Sequence, residues 1–144
     1  MGMEQIILQV GVKILLKNKE GKYLLNRRNP KKYPEGGGPK WDVVGGRIDP
    51  GSSLMENLDR EVMEETGLKI LSKPVLVGAQ DILRLPGRHV VRLTYTGDTE
   101  GEPVLSEESL DFGWFTAAEI KAMPETELDT YVKELIDKNL LQIS

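Results

Sequence analysis

Residues 7 to 16 read Ile-Leu-Gln-Val-Gly-Val-Lys-Ile-Leu-Leu, a run rich in aliphatic and β-branched side chains, and such runs bounded by turn residues form strands. Asn18-Lys19-Glu20-Gly21 supplies the turn and Tyr23-Leu24-Leu25 resumes the apolar pattern, so the chain opens with a hairpin. From Asn29 to Lys40 prolines and glycines interrupt the pattern, which predicts an exposed, mobile loop. A short strand, Trp41 to Val44, then runs into Gly45-Gly46. A helix is expected to start at Ser53, because Ser53 with Glu56 three residues on makes a capping-box pattern and Pro50-Gly51 bars an earlier start. Gly67 suits the left-handed position that ends it. Leu71 to Leu83 and His89 to Thr96 predict strands joined by a turn at Pro86-Gly87. Beyond a polar loop from Gly97 to Ser109 the pattern predicts a short strand, Phe112 to Phe115. A short helix follows, capped by Thr116 and running through Ala122. The last amphipathic helix is expected over Leu128 to Asn139, with Tyr131, Leu135 and Leu140 near one side. Strands and helices intermingle without a βαβ rhythm, which favours an α+β layered fold over a doubly wound one. A length of 144 residues suits one domain, 1–144.

The helix after Ser53 carries its polar residues in an unusual place. At about 100° per residue from Leu54, Leu58 falls at about 40°, Val62 at about 80° and Met55 at about 100°, which defines the apolar stripe. Glu65 falls at about 20°, Glu61 at about 340° and Glu64 at about 280°, so the three acids border that stripe and do not oppose it. Glu61 and Glu65 make a like-charge i,i+4 pair, and Glu64 and Glu65 occupy the last turn, where the helix dipole favours cations. Two carboxylates about 6 Å apart repel by under about 1 kcal/mol in water but by roughly 3 kcal/mol at an effective dielectric of 20. On a solvated face the acids need no partner. In a cleft they need a cation, and an all-oxygen cluster suits magnesium or manganese better than zinc.

Composition narrows the chemistry. The chain has no cysteine, which excludes disulfides, thiolate catalysis and Cys-ligated metal sites. One histidine, His89, leaves little room for a His-rich metal site and reads as a structural or partly exposed sheet residue. The net charge of −4 disfavours a generally basic nucleic-acid binder. Residues 1 to 47 nonetheless carry ten Lys/Arg against four Asp/Glu, and residues 48 to 144 carry nine against nineteen. One reading is solvated charge blocks; the other is a basic first third that meets phosphates and later acids that hold divalent cations. No apolar run approaches the roughly 18 residues of a membrane span, and the first residues lack the basic region of a signal peptide. A cytoplasmic enzyme or binding module is the expectation, with no nucleic-acid or membrane partner and with a homodimer left open.

Gly46 to Leu68 reads Gly-Arg-Ile-Asp-Pro-Gly-Ser-Ser-Leu-Met-Glu-Asn-Leu-Asp-Arg-Glu-Val-Met-Glu-Glu-Thr-Gly-Leu. This segment closely resembles the Nudix box, G-x5-E-x7-R-E-U-x-E-E-x-G-U, in which U is a bulky aliphatic residue. Gly46, Arg60, Glu61, Val62, Glu64, Glu65, Gly67 and Leu68 fall in register, and Ser52 stands where the box has its first glutamate. The hairpin ending in Arg27-Arg28, Trp41 before the glycine pair, and Glu107-Glu108 ahead of Phe112-Gly-Trp-Phe are also similar to the family, so the resemblance covers nearly the whole chain. It implies the Nudix fold, a mixed β-sheet sandwiched between α-helices, and hydrolysis of a nucleoside diphosphate linked to another moiety with Mg2+ or Mn2+ as cofactor. It also implies Glu61, Glu64 and Glu65 as metal ligands, with Glu64 alternatively a base, and Arg60 as the residue orienting a neighbouring glutamate. The resemblance further implies that a carbonyl of Gly45 or Gly46 can join the metal shell.

Outside the box, family likeness makes Glu107, Glu108 and Asp111 candidates for a further base or ligand, with Glu108 preferred; each also reads as a solvated loop acid. Trp41 is a candidate for stacking on a base or for packing. Arg27 and Arg28 are candidates for phosphate, but adjacent strand residues point to opposite faces, so at most one reaches it. Arg60 also sits i,i+4 from Glu64, where it pairs directly whatever its catalytic role. Signatures of coenzyme A, ADP-ribose and dinucleoside polyphosphate enzymes are not visible, which leaves nucleoside triphosphates, oxidised or noncanonical ones included, as the leading substrates. The products are then a monophosphate and pyrophosphate. ADP-ribose and nucleotide sugars remain alternatives, as does a catalytically weak nucleotide-binding or regulatory module that Ser52 makes plausible.

Overall fold

The computed structural model describes residues 5–32 and 38–144. The expected hairpin is β1 (Ile7–Lys17) and β2 (Tyr23–Arg28), closed by Asn18, whose Oδ1 accepts from the backbone N–H of Glu20 at 3.0 Å and Lys22 at 2.9 Å. The two strands meet at Lys17↔Tyr23 and then diverge. The Trp41–Gly46 stretch is not one strand: β3 (Trp41–Asp42) pairs with β2, and β4 (Val44–Arg47) pairs with β1 from Gly11↔Arg47 to Ile14↔Val44. This split at Val43 places Gly45-Gly46 beside the middle of β1. The loop expected over Asn29–Lys40 lies in part at residues 33–37, outside the described residues.

Helix α1 (Leu54–Thr66) has the expected ends. The Ser53 hydroxyl accepts from Glu56 N–H at 3.1 Å, and Gly67 adopts φ 73° while its N–H reaches Met63 O at 2.9 Å. Strand β5 (Val75–Ile82) starts later than the Leu71 expected, after Pro74, which has no N–H for a ladder. Strand β6 (Arg88–Asp98) runs parallel to β1 over its whole length and antiparallel to β5. Strand β7 (Ser109–Phe115) starts earlier than expected because its first residue pairs with Arg28 of β2. Helix α2 (Ala117–Ala122) has a full capping box between Thr116 and Glu119. Helix α3 (Thr130–Asp137) is shorter than expected, since Asp129 caps it by accepting from Tyr131 N–H at 3.0 Å and Val132 N–H at 3.1 Å. Its buried side is Val132 and Leu135, while Leu140 is exposed and Tyr131 half-buried.

The seven strands form one mixed sheet with the path β3-β2-β1-β6-β5, β4 joining β1 and β7 joining β2. Alternation along β1 divides two cores. Val12, Ile14 and Leu16 pack with Leu58 and Val62 of α1, whereas Leu15 packs with Ile120 of α2 and Val132 and Leu135 of α3. The α+β reading, a mixed sheet with helices on both faces, is what the chain adopts. Among the described residues no helix is long and apolar enough to cross a membrane.

Candidate functional site

The divergence of β1 from β2 and the insertion of β4 leave a cavity of about 410 Å³ beside α1. Glu61, Glu64 and Glu65 all line it, with Arg60 and with Gly45 and Gly46. The buried side of α1 is Asn57, Leu58, Glu61, Val62, Glu65 and Thr66. Leu54 and Met55, expected in the apolar stripe, are instead exposed at 37% and 38%, and burial on α1 begins at Asn57 and Leu58. The burial of two acids in their place is the feature that makes this helix face unusual.

Backbone geometry brings the acids close to the glycine pair. Gly45 has φ 144°, and a Cβ there would run into the Val12 carbonyl of β1. A Cβ on Gly46 would lie 2.6 Å from Glu61 Oε2, so only glycine lets that carboxylate lie over the backbone. Gly45 N–H donates to Glu65 Oε2 at 2.8 Å. Burial pushes the Glu65 carboxyl up to about 8, against the opposing pull of Lys13 and of the Gly45 N–H, and Glu61 and Glu108 push in the same direction as burial. Glu61 is also raised, first by burial and then by Glu64 and Glu108, with Arg60 pulling it down. Buried carboxylates that raise one another's proton affinity are short of positive charge.

Arg60 supplies part of that charge. Its Nη1 donates to Glu61 Oε1 at 3.1 Å and to Glu64 Oε2 at 3.2 Å. Among the described residues no three acids or imidazoles converge on one ion-sized point, so a shared cation is not pre-enclosed. By their chemistry the donors fit a hard divalent cation: they are carboxylate and carbonyl oxygens, and the Glu61 carboxylate lies directly over the Gly46 backbone.

The cavity lining also carries cations, and of the Arg27-Arg28 pair only Arg28 is among them, as the alternation of strand residues leads one to expect. Arg28 lines the cavity, but its Nη2 lies 2.8 Å from Asp42 Oδ2. Arg92 Nη2 donates to Asp42 Oδ1 at 2.9 Å and pairs with Asp129 at 3.2 Å, and Lys13 Nζ lies 3.5 Å from Asp42 Oδ2. Asp42 thus collects three cations in a place 2% exposed to solvent. Burial works to raise its carboxyl, but Arg92, Lys13 and Arg28 outweigh that and hold it far below the usual range. Burial lowers the Lys13 ammonium, Asp42 opposing. Lys13 also donates to the carbonyls of Val43 at 3.2 Å and Gly45 at 3.4 Å, tying β1 to the β3–β4 junction.

Arg27 and Trp41 are not among the residues lining the cavity. They are register partners on β2 and β3 and so share the other face of the ladder. There Arg27 Cζ lies 5.3 Å from the Trp41 ring centroid, and Trp41 meets Phe115 edge-on at 4.9 Å. Of the three loop acids only Glu108 lines the cavity; Glu107 pairs with Lys32 at 3.5 Å and Asp111 with Arg27 at 3.9 Å. His89 contacts Asp81 at 2.7 Å across the β5–β6 ladder, at the surface.

Several cavity residues escaped the sequence reading, Lys13, Asp49 and Arg92 among them, and two more stand out for their lack of a partner acid among the described residues. Arg84 and Arg88 flank the turn between β5 and β6, line the cavity, and have no carboxylate partner among the described residues. Arg84 rests instead over Tyr131, its Cζ 5.4 Å from the ring centroid. Their spacing around Pro86-Gly87 is the signal that marks them, since a hairpin turn brings its two flanks together.

Comparison with known proteins bears on the family and the fold. The family model described as NUDIX domain matches residues 7–136. The chain is 27% identical over 103 residues to the uncharacterized Nudix hydrolase YvcI of Bacillus subtilis (strain 168), a match covering 68% of this chain and 65% of that protein. A putative 8-oxo-dGTP diphosphatase from the same organism is 59% identical over only 29 residues, 20% of each chain. The chain therefore spans less than two thirds of either relative. The crystal structure of a MutT protein from Methanosarcina mazei Go1 superimposes with a TM-score of 0.80 at 27% identity, covering 95% of both chains.

Proposed function

Because the chain belongs to the Nudix family, we propose that it is a divalent-cation-dependent hydrolase of a nucleoside diphosphate linked to a further group, with nucleoside triphosphates as the leading substrate class. The observation that carries this reading is one cavity with two kinds of wall. Glu61, Glu64 and Glu65 stand on one side, and Arg84 and Arg88, without carboxylate partners among the described residues, line the same space. Such a space suits a substrate that is itself polyanionic and arrives with cations.

In this reading Glu61, Glu64, Glu65 and the Gly46 carbonyl hold Mg2+ or Mn2+. A cation held there would supply charge neutralisation at the phosphates and an acidified water for in-line attack. Arg84 and Arg88 hold phosphate oxygens, a role for which Arg27 and Arg28 were candidates by sequence, at most one of them reaching phosphate. Arg28 instead spends its charge on Asp42, and Arg27 lies among residues that do not line the cavity. Glu64, whose side chain is 58% exposed, is accessible enough to accept a proton at the reacting centre, and Glu108 is the second acid available for that role. Arg60 orients the glutamates. Oxidised or otherwise noncanonical triphosphates fall within this class; the name of the Bacillus subtilis putative 8-oxo-dGTP diphosphatase points that way, over a match of 29 residues, 20% of each chain.

The test is hydrolysis of a panel of canonical and oxidised triphosphates, ADP-ribose and nucleotide sugars with and without Mg2+. Cation-dependent release of pyrophosphate and a monophosphate from a triphosphate supports the reading. Orthophosphate as the sole product, or turnover of sugar conjugates alone, overturns the substrate class.

A further inference from the structure

Arg60 divides its guanidinium between two sets of partners. Nη1 faces the helix acids, at 3.1 Å from Glu61 Oε1 and 3.2 Å from Glu64 Oε2. The rest of the group faces the segment before α1: Nε lies 3.5 Å from Asp49 Oδ2, and Nη2 donates to Asn57 Oδ1 at 2.9 Å and to the Arg47 carbonyl at 3.3 Å. A cation and Nη1 compete for the same lone pairs on Glu61 and Glu64. Whatever retains the guanidinium when Nη1 lets go therefore governs how readily those acids are released.

Of the partners on the loop side, only Asp49 is charged. Its backbone is fixed: Asp49 N–H donates to Asn57 Oδ1 at 2.8 Å, and Asn57, 1% exposed, donates to the carbonyls of Ser52 at 3.2 Å and Ser53 at 2.7 Å. Asp49 also lines the cavity. The Ser52 hydroxyl makes no hydrogen bond among the described residues, so the negative charge absent there is present three residues earlier, on the Nε side of Arg60.

We propose that Asp49 is a positioning residue for the cation site: it holds Arg60 on the loop side and so frees Glu61 and Glu64 for a divalent cation. This rests on the cation-dependent reading above. Without Asp49 the guanidinium has fewer competing anchors and stays on the helix acids, so cation affinity falls although no ligand is lost. Asp49 is 70% exposed, so its pull is screened and the effect is modest.

Mn2+ binding measured by electron paramagnetic resonance, on protein free of nucleotide, tests this in wild type, Asp49→Asn, Asp49→Lys and Asp59→Asn. Asp59 is an exposed acid of α1 outside the cavity lining and controls for loss of one charge near the helix. The expected result is a dissociation constant raised about two- to fivefold by Asp49→Asn and about tenfold or more by Asp49→Lys, with Asp59→Asn close to wild type. In the metal-free protein the Arg60 Nε–Hε resonance should shift in Asp49→Asn and not in Asp59→Asn, while melting temperatures stay within a few degrees. Equal effects of Asp49→Asn and Asp59→Asn on Mn2+ affinity, or none from either, overturn the inference alone. A wild type that binds no Mn2+ overturns the cation site and this inference with it.

Discussion

Replacing Asp42 with Asn removes one negative charge from a point where three positive ones meet. Asp42 is 2% exposed, and its carboxylate lies 2.8 Å from Arg28, 2.9 Å from Arg92 and 3.5 Å from Lys13. Asparagine keeps the shape but leaves Arg92 with Asp129 alone and strands Lys13 with backbone carbonyls. Breaking a buried ion pair by removing one partner costs about 3 to 5 kcal/mol, a large share of the roughly 5 to 15 kcal/mol that holds a domain folded. At about 2 to 4 °C per kcal/mol for a chain near this size, the melting temperature should fall by about 6 to 20 °C. The pH dependence has a definite sign. Asp42 is held well below its unfolded value of about 3.9. Its contribution is therefore complete above about pH 5 and is lost as pH falls below about 4, where unfolding takes up a proton. Urea unfolding of wild type and variant at pH 6, 5, 4 and 3 should show the gap widest at pH 6 and narrowing on acidification. Adding Lys13→Met to Asp42→Asn should recover part of the loss, because one stranded cation goes with it. A loss under about 1 kcal/mol at pH 6, or a gap that widens in acid, would refute the view of Asp42 as the anion that holds Lys13, Arg28 and Arg92 in place.

The remaining predictions concern activity. Glu64→Gln and Glu65→Gln should each lower kcat by roughly 10² to 10⁴ in Mg2+, since an amide loses both ligand charge and proton acceptance; unchanged turnover in EDTA would contradict the cation requirement. Arg84→Ala and Arg88→Ala should raise KM for a triphosphate by about ten- to a hundredfold with a smaller change in kcat. An effect confined to kcat would remove these residues from phosphate binding. Ser52→Glu should change turnover by less than about tenfold, or roughly 1.4 kcal/mol of barrier. A silent wild type rescued a thousandfold by Ser52→Glu would favour the regulatory-module alternative.

Local features were readable from residue types whose chemistry acts over a few positions. Ser53, Gly67 and Thr116 serve as caps in the places expected of them because a cap depends on its own turn of chain. Errors arose where a distant partner decides. The strand expected over Trp41–Val44 divides because Asp42 pairs toward β2 while Val44 pairs toward β1, and no property of the four residues reveals two different neighbours. The early start of β7 follows from Arg28, some eighty residues away in the chain. Leu140 suited a helix face by periodicity, but the Asp129 cap and the end of α3 at Asp137 leave it outside the packed side.

The same distinction explains the site. Three helix acids bordering an apolar stripe were visible because α1 carries them all at helical spacing, and the cavity they line is where that spacing aims them. The cations were harder, because a basic residue facing phosphate and one neutralising a buried acid look alike in sequence. The basic first third suggested the phosphate contacts, yet two of its residues, Lys13 and Arg28, spend their charge on Asp42. Arg84 and Arg88 belong to the acidic remainder of the chain, and the β5–β6 turn sets them at the cavity with no carboxylate partner among the described residues. Under the proposed function, phosphate contact therefore does not follow regional charge balance. What matters is which cations lack a nearby anion in the fold, and Asp42, itself in the basic segment, decides that by engaging Lys13 and Arg28.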